Sequence, residues 1–350
     1  MKSSSKIAGQ HSGTDQQFMQ MALAMARRGL GTTAPNPSVG AIIVDDEGVL
    51  LGRGWTQPGG RPHAEVVALE RAGNAAKGAT LYVTLEPCSH QGKSPPCADA
   101  VIKAGIKRVV CALGDPDPRV AGQGFARLRA AGLEVVENVL RDDAYWLTLG
   151  HILKVTAKRP FVQLKLATDA EGLIASGDGA PVWVTGDEAR ARGHLLRAQA
   201  DAILVGIGTV LVDDPSLDCR LPGLAEQSPA IIVLDRKGRL PAQSKIARSG
   251  RLMHVSGSVS LAEFLGKFAS EGITRLLVEG GPHVWRSFLK AGLVDEIVHF
   301  RGVGSVGVSG LLPFVDNGLE RIEQDNRFEM VDRGAVGGDK MTVYRSKKVT

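Results

Sequence analysis

Thr84-Leu85-Glu86-Pro87-Cys88-Ser89-His90-Gln91-Gly92-Lys93-Ser94-Pro95-Pro96-Cys97-Ala98 is the segment on which the interpretation of the first half of the chain rests. It overlaps the apolar run at residues 80–85, which is typical of a buried β-strand. The two prolines before Cys97 stand where a helix would begin, because proline is tolerated in the first helical turn. The segment therefore predicts a strand, a turn that carries Cys88, and a helix whose N-terminus carries Cys97.

A histidine upstream completes a set of metal ligands. His63, Cys88 and Cys97 are ligands that zinc prefers, and three protein ligands leave a fourth position for water, as in catalytic zinc sites. Glu65 follows two residues after the histidine and can reach that water as a proton shuttle. H-x-E followed by P-C-x-x-C is the signature of nucleobase-type zinc deaminases, although eight residues separate the cysteines here. The alternative, a surface histidine and two ordinary thiols, leaves this context unexplained.

Two stretches in each half of the chain resemble the bifunctional riboflavin-biosynthesis deaminase/reductase family. The segment quoted first and Pro35-Asn36-Pro37-Ser38-Val39-Gly40 are similar to its deaminase half, and residues 205–215 and 278–281 to its reductase half. The resemblance implies zinc-dependent hydrolytic deamination of 2,5-diamino-6-(5-phosphoribosylamino)pyrimidin-4-one. It also implies a second step, in which NADPH reduces the ribosyl group to a ribityl chain.

The expected fold class is α/β, with two three-layer domains. The resemblance implies a zinc cytidine-deaminase-like domain at residues 14–157 and a dihydrofolate-reductase-like domain at residues 158–350. Strands that alternate with helices favour such layers independently, and 350 residues suffice for two cores. The short polar break at residues 157–160 is where we expect the boundary.

Further site residues are implied by the resemblance alone. Near the pyrimidine ring of the deaminase substrate it implies Asn36, Lys93, Asp115 and Asp117. On the cofactor side of the reductase it implies Ala167, Trp183, Thr209, Asp213 and Gly281. On the reductase substrate it implies Arg197, Leu217, Arg220 and Glu279. The two arginines suit phosphate groups because a guanidinium can bind them with two hydrogen bonds. An open alternative for Asp115 and Asp117 is a plain proline-rich turn.

Two charged residues occupy positions that otherwise predict buried strands. Lys165 lies inside the apolar run at residues 161–167, and Glu279 ends another run just before two glycines. Buried charges are costly unless they are paired or functional, so both are candidate catalytic residues beside Glu65. A lysine that extends its charge to solvent is the alternative for Lys165. After this strand the family usually has Ser-Leu-Asp-Gly, whereas this chain has Asp169-Ala170-Glu171-Gly172.

Composition restricts the partners. The net charge is +5 without a lysine or arginine run, and aromatic residues make up 5% of the chain, which argues against a nucleic-acid surface. No apolar run is long enough to span a membrane. Four cysteines do not form a disulfide framework, and no signal peptide is evident, so we expect a cytoplasmic protein. As a separate expectation, the protein forms a homo-oligomer. The chief rival function is a nucleic-acid or free-base zinc deaminase with a non-catalytic C-terminal binding module; the other is a scaffold without catalysis.

Overall fold

The structure, a computed structural model, describes residues 13–91, 95–118, 120–174, 183–256, 260–305 and 325–348, with the backbone alone for 254–256. The chain divides into two compact units, Met1–Thr156 and Ala157–Thr350. Each unit is built around a β-sheet. Among the described residues, no helix combines the length and the apolar character needed to cross a bilayer.

The first unit contains five strands, which are β1 (Gly40–Val44), β2 (Leu50–Trp55), β3 (Thr80–Val83), β4 (Arg108–Cys111) and β5 (Glu134–Val136). They form one sheet in the order β2-β1-β3-β4-β5. β1 and β2 form an antiparallel hairpin, and β1 also pairs antiparallel with β3. β3, β4 and β5 run parallel, so their carboxyl ends meet at the same edge of the sheet.

Helices cover both faces of this sheet. They are α1 (Gly13–Arg27), α2 (Ala64–Ala72), α3 (Cys97–Lys103), α4 (Gln123–Ala130) and α5 (Arg141–Thr156). A Cβ on Gly40 would lie 2.0 Å from the carbonyl oxygen of Ala22 in α1, and one on Gly54 would lie 2.4 Å from that of Ala64 in α2. Gly40 pairs with Trp55, so the adjacent Gly54 faces the opposite side of the sheet. These glycines therefore let α1 and α2 pack closely on opposite faces.

The second unit contains a larger sheet. Its strands are β6 (Phe161–Thr168), β7 (Ala202–Gly206), β8 (Ala230–Leu234), β9 (Leu252–Ser256), β10 (Arg275–Val278), β11 (Glu296–Arg301), β12 (Phe328–Val336) and β13 (Asp339–Ser346). The eight strands follow the order β12-β13-β11-β6-β10-β7-β8-β9. From β11 to β9 neighbouring strands are parallel, and β13 and β12 complete one edge with antiparallel pairs.

Successive residues of the central strands pack into two different hydrophobic cores, one on each face of the sheet. The helices of this unit are α6 (Asp187–Ala198), α7 (Ile207–Asp213), α8 (Leu261–Ser270) and α9 (Pro282–Lys290). Leu164 and Leu204 pack on the core that α8 and α9 cover, whereas Ile203 and Leu277 pack on the core that α6 and α7 cover. Alternation with a period of two along a strand thus produces three layers, helices, sheet and helices.

The start of α6 differs from what the local sequence pattern indicates. Thr185-Gly186-Asp187-Glu188 matches a capping box, but α6 begins at Asp187 and its N-cap is Gly186, which has no side chain to cap the helix. The carbonyl of Thr185 instead accepts a hydrogen bond from Arg190. A true capping box opens α8, where Ser260 and Glu263 each bond to the other's backbone N–H.

Candidate active sites

His63 and Glu65 are positioned by the start of α2. His63 is the N-cap of this helix, with an extended backbone, and Glu65 lies in the first turn with 4% of its surface exposed. Close packing of Gly54 against Ala64 fixes this first turn on the sheet. His63 therefore lies at the helix N-terminus, and Glu65 lies two residues further along, in the first turn of the same helix.

The two cysteines lie beside this histidine. Cys88 follows β3, and Cys97 is the first residue of α3. His63 Nδ1 lies 3.2 Å from Cys97 Sγ and 3.7 Å from Cys88 Sγ, and the backbone N–H of Cys97 donates to Cys88 Sγ at 3.3 Å. Ligand atoms of a tetrahedral zinc site with Zn–N near 2.0–2.1 Å and Zn–S near 2.3 Å lie about 3.5–3.8 Å apart. Spacing and donor set both fit zinc.

The electrostatics of the cluster favour a thiolate and a proton carrier. The side-chain hydrogen bond from Cys97 is the main reason that the pKa of Cys88 falls to about 4, with a further contribution from His63. Burial raises the pKa of Glu65 to about 7, although the nearby His63 opposes this shift. A carboxyl group with such a pKa can both take up and release a proton near neutral pH.

Glu86 is a functional residue that the sequence did not reveal. It is 3% exposed, and its carboxylate accepts hydrogen bonds from the backbone N–H groups of four residues: Asp115, Gly122, Gly124 and Phe125. Glu86 thus connects the end of β3 to the loop after β4 and to the start of α4. Only the position of an acidic residue between a buried strand and Pro87-Cys88 could have indicated this role.

The residues predicted around the pyrimidine lie on loops next to this cluster. Asn36 donates from its side-chain amide to the carbonyl of Gly60, at 2.9 Å, three residues before His63. Asp115 follows β4, at the sheet edge where Cys88 follows β3, and its Oδ1 accepts the backbone N–H of Asp117 at 2.8 Å. Lys93 lies outside the described residues.

In the second unit the structure brings three predicted residues together. Arg197 donates from Nε and Nη2 to the two carboxylate oxygens of Glu279, at 2.7 and 2.8 Å, and from Nη1 to the carbonyl of Asp218. Lys165, on neighbouring β6, interacts electrostatically with both partners, and burial lowers its pKa. Burial alone would raise the pKa of Glu279, but Arg197 and then Lys165 lower it to about 2.

This pairing changes the expectation for Arg197. We expected the guanidinium group of Arg197 to bind a phosphate, but its Nε and Nη2 atoms donate hydrogen bonds to Glu279 in the structure. Arg220, by contrast, is exposed, and its Nε donates to His194 Nε2 at 3.2 Å. The side chain of Leu217 is only 3% exposed, and its carbonyl accepts a hydrogen bond from Arg251. Of the two arginines, Arg220 is the one that remains accessible to a phosphate.

The residues predicted on the cofactor side are only partly clustered. A Cβ on Gly281 would lie 3.3 Å from Thr209 Oγ1, so the two residues are neighbours. Thr209 lies in the first turn of α7 and Gly281 is the N-cap of α9, and these helices follow the adjacent strands β7 and β10 through glycine junctions, an arrangement that fits the phosphates of a dinucleotide such as NADPH. Asp213 is the last residue of α7, Ala167 lies in β6, and Trp183 is 75% exposed beside Arg190.

The departure at residues 169–172 has a structural explanation. Asp169 is fully buried, and its Oδ1 accepts the backbone N–H groups of Glu171 at 3.0 Å and Leu173 at 2.7 Å. The aspartate therefore stabilises the turn that follows β6.

Known protein families match both halves of the chain. The family model of the cytidine and deoxycytidylate deaminase zinc-binding region matches residues 12–113, and that of the RibD C-terminal domain matches residues 160–327. The riboflavin biosynthesis protein RibD of Aquifex aeolicus is 40% identical over 332 residues, which cover 89% of this chain and 92% of the relative.

Two solved structures have the same fold over nearly the whole chain. Acinetobacter baumannii RibD superposes with a TM-score of 0.85 at 36% identity, covering 95% of this chain and 99% of that protein. A diaminohydroxyphosphoribosylaminopyrimidine deaminase/5-amino-6-(5-phosphoribosylamino)uracil reductase of Thermotoga maritima does so with a TM-score of 0.84, with the same identity and coverage. The matches confirm the predicted fold class, and they do not favour the nucleic-acid deaminase. The chain belongs to the RibD family of riboflavin biosynthesis proteins.

Proposed function

We propose that this chain catalyses two successive steps of riboflavin biosynthesis. It deaminates 2,5-diamino-6-(5-phosphoribosylamino)pyrimidin-4-one and then reduces the ribosyl group of the product with NADPH. The observation that carries the proposal is the convergence of His63, Cys88 and Cys97 with a buried Glu65, in one chain with a RibD C-terminal domain. The units proposed for the two activities are residues 14–157 and 158–350.

In the deaminase unit, His63, Cys88 and Cys97 would hold zinc. The ion, when bound, supplies an activated water molecule at neutral pH. Glu65 would carry one proton of that water to the ring nitrogen and the second, from the hydroxyl group left on the ring carbon, to the departing amino group, so that water and the aminopyrimidine give a pyrimidinone and ammonia. Asn36, Lys93, Asp115 and Asp117 are proposed to hold the pyrimidine during this exchange.

In the reductase unit, NADPH supplies the hydride that reduces the opened sugar. Ala167, Trp183, Thr209, Asp213 and Gly281 are proposed to bind the cofactor. Lys165 is proposed to donate a proton as the hydride arrives, since burial has lowered its pKa. Glu279 is proposed to accept hydrogen bonds from sugar hydroxyls, and Arg220, with Arg197 and Leu217, to bind the substrate.

A single assay tests the two activities separately. The purified protein is given the diaminopyrimidine substrate with and without NADPH, and ammonia release and NADPH oxidation are followed independently. We expect ammonia in both reactions and NADPH oxidation only after deamination. No ammonia release from a zinc-loaded protein would refute the proposal for the first unit, and no oxidation with the deaminated substrate would refute it for the second.

The remaining expectations concern partners and location. The substrate is a small phosphorylated pyrimidine, and no nucleic acid or membrane is expected to bind. Homo-oligomeric assembly and a cytoplasmic location stay predictions. Light scattering coupled to size-exclusion chromatography measures the mass of the assembly and hence the number of subunits. Cell fractionation checks the cytoplasmic location.

A further inference from the structure

Helix α5 contains an unusual buried histidine. Both ring nitrogens of His151 are shielded from solvent and have no hydrogen-bond partner within the part of the chain that the structure describes. The side chain as a whole is 16% exposed. A buried polar group without a partner has lost its hydrogen bonds to water without compensation, so native proteins seldom retain one without a use for it.

Buried side-chain polar atoms without a hydrogen-bond partner are few in the described part of the first unit. For the described residues they belong to Ser89, Thr148 and His151. Ser89 follows the ligand Cys88 directly, and Thr148 precedes His151 by three residues, on the same side of α5. Of these three residues, His151 is the one with two such atoms.

The position of α5 shows where a ligand of His151 would lie. His151 Nε2 is 3.9 Å from Asp115 Oδ1, which is too long for a hydrogen bond. One turn further along, Lys154 Nζ donates to the carbonyl of Pro35 at 3.1 Å. The helix therefore connects the loop of Asp115 to the loop of Pro35 and Asn36, and His151 faces the first of the two loops proposed to hold the pyrimidine.

The chemistry of the two side chains is complementary. An ionised aspartate only accepts hydrogen bonds, whereas a neutral imidazole offers one donor and one acceptor. A diaminopyrimidinone presents amino groups, which suit Asp115, and also a carbonyl oxygen and ring nitrogens, which need a donor. We propose that His151 is a further substrate-binding residue of the deaminase centre, which hydrogen-bonds to the polar edge of the pyrimidine. This inference rests on the proposed function.

Two substitutions of His151 test the inference. His151→Phe keeps the ring but removes both nitrogens, and we expect the KM for deamination to rise roughly tenfold, the effect of one lost hydrogen bond, with kcat changed less than about threefold. The melting temperature should stay the same or rise, because unpaired polar atoms are removed from a buried place. His151→Gln restores a donor and an acceptor and should bring KM most of the way back.

Controls separate recognition from structure. Thr156→Val alters the exposed end of α5, where Oγ1 bonds to the carbonyl of Ile152, and should leave KM unchanged. Zinc content should be that of the wild type in every variant. An unchanged KM in His151→Phe would overturn the inference, as would a KM that Gln fails to restore. A wild-type chain that releases no ammonia would instead refute the proposed function itself.

Discussion

Cys97 combines two tasks in one residue. It is proposed to bind zinc, and as the first residue of α3 it also donates its backbone N–H to the other cysteine ligand, Cys88. The sulfur cannot be replaced by a hydroxyl without loss of a ligand that zinc prefers. The backbone donor, by contrast, survives any substitution except proline.

We therefore predict that Cys97→Ser keeps the fold of the first unit but binds almost no zinc, as measured by elemental analysis of the dialysed protein. Cys111→Ser is the matched control. That cysteine is also buried, but it lies in β4 and donates to the carbonyl of Leu113, which a serine can do as well. Full zinc occupancy in Cys97→Ser would contradict the assignment of the ligands.

Glu279 gives a prediction for pH dependence. Burial raises its pKa, but the paired hydrogen bonds from Arg197 and the charge of Lys165 outweigh burial and lower the pKa from 4.5 to about 2. A carboxyl group with a depressed pKa stabilises the fold fully above its unfolded value, and the stabilisation is lost as pH falls through the folded value.

The wild type should therefore exceed Glu279→Gln in its free energy of unfolding by about 3 kcal/mol above pH 5. The difference should shrink as the pH falls from about 4.5 to about 2. Urea unfolding at a series of pH values, followed by circular dichroism, measures both. A difference that does not change with pH would mean that the glutamate contributes through packing rather than through its charge.

At the scale of elements, Glu86 is the clearest example of a connection between two strand ends. One carboxylate satisfies backbone N–H groups of the loop after β4 and of the first turn of α4. Its loss would leave these buried donors without an acceptor and would free the loop that carries Asp115. The effect should therefore appear in stability and in substrate binding together.

We predict that Glu86→Gln lowers the free energy of unfolding of the first unit by about 2–4 kcal/mol, because an amide has a single acceptor oxygen and its NH₂ group would face other donors. Thermal unfolding checks this value. Glu134→Gln serves as a control, since that carboxylate is 64% exposed in its ion pair with Arg108 and should change stability by less than about 1 kcal/mol. Equal melting temperatures for Glu86→Gln and the wild type would contradict the prediction.

How far the sequence predicts these elements depends on the range of the interaction. The strand before Pro87-Cys88, the helix at Cys97 and the glycine junction before α9 follow from local patterns, and the structure contains all three. The bonds of Glu86 join residues far apart in the chain, and no periodicity indicates them. The pairing of Arg197 with Glu279 has the same character, because it is formed only when α6 packs beside β10. Sequence patterns thus identify the charged residues but not the partners that neutralise them.

At the scale of the whole molecule, the two activities should be separable by single substitutions. Glu65→Gln should retain zinc and lower deamination by roughly 10²–10⁴-fold, the usual contribution of a positioned acid–base group. Lys165→Ala should lower reductase turnover by roughly 10²-fold or more with little change in NADPH affinity, because only a transition-state contact is lost.

Each variant is the control for the other. NADPH oxidation by Glu65→Gln is measured with substrate that is already deaminated, and ammonia release by Lys165→Ala is measured without NADPH. We expect wild-type rates in both of these reactions. A parallel loss of both activities in either variant would contradict the division of labour between residues 14–157 and 158–350.

The course of α5 has a consequence for dividing the polypeptide. The proposed zinc ligands and Glu65 all precede residue 98, within the region that the deaminase family model matches, which ends at residue 113. Asp115 and His151 lie beyond that limit, and α5 ends at Thr156, where the first compact unit also ends. The proposed zinc ligands therefore span a shorter length of chain than the residues proposed to bind the pyrimidine do. A gene truncation that is meant to yield a self-sufficient deaminase should therefore end after Thr156, since a cut within α5 would shorten the helix that carries His151 while it spares the proposed zinc ligands.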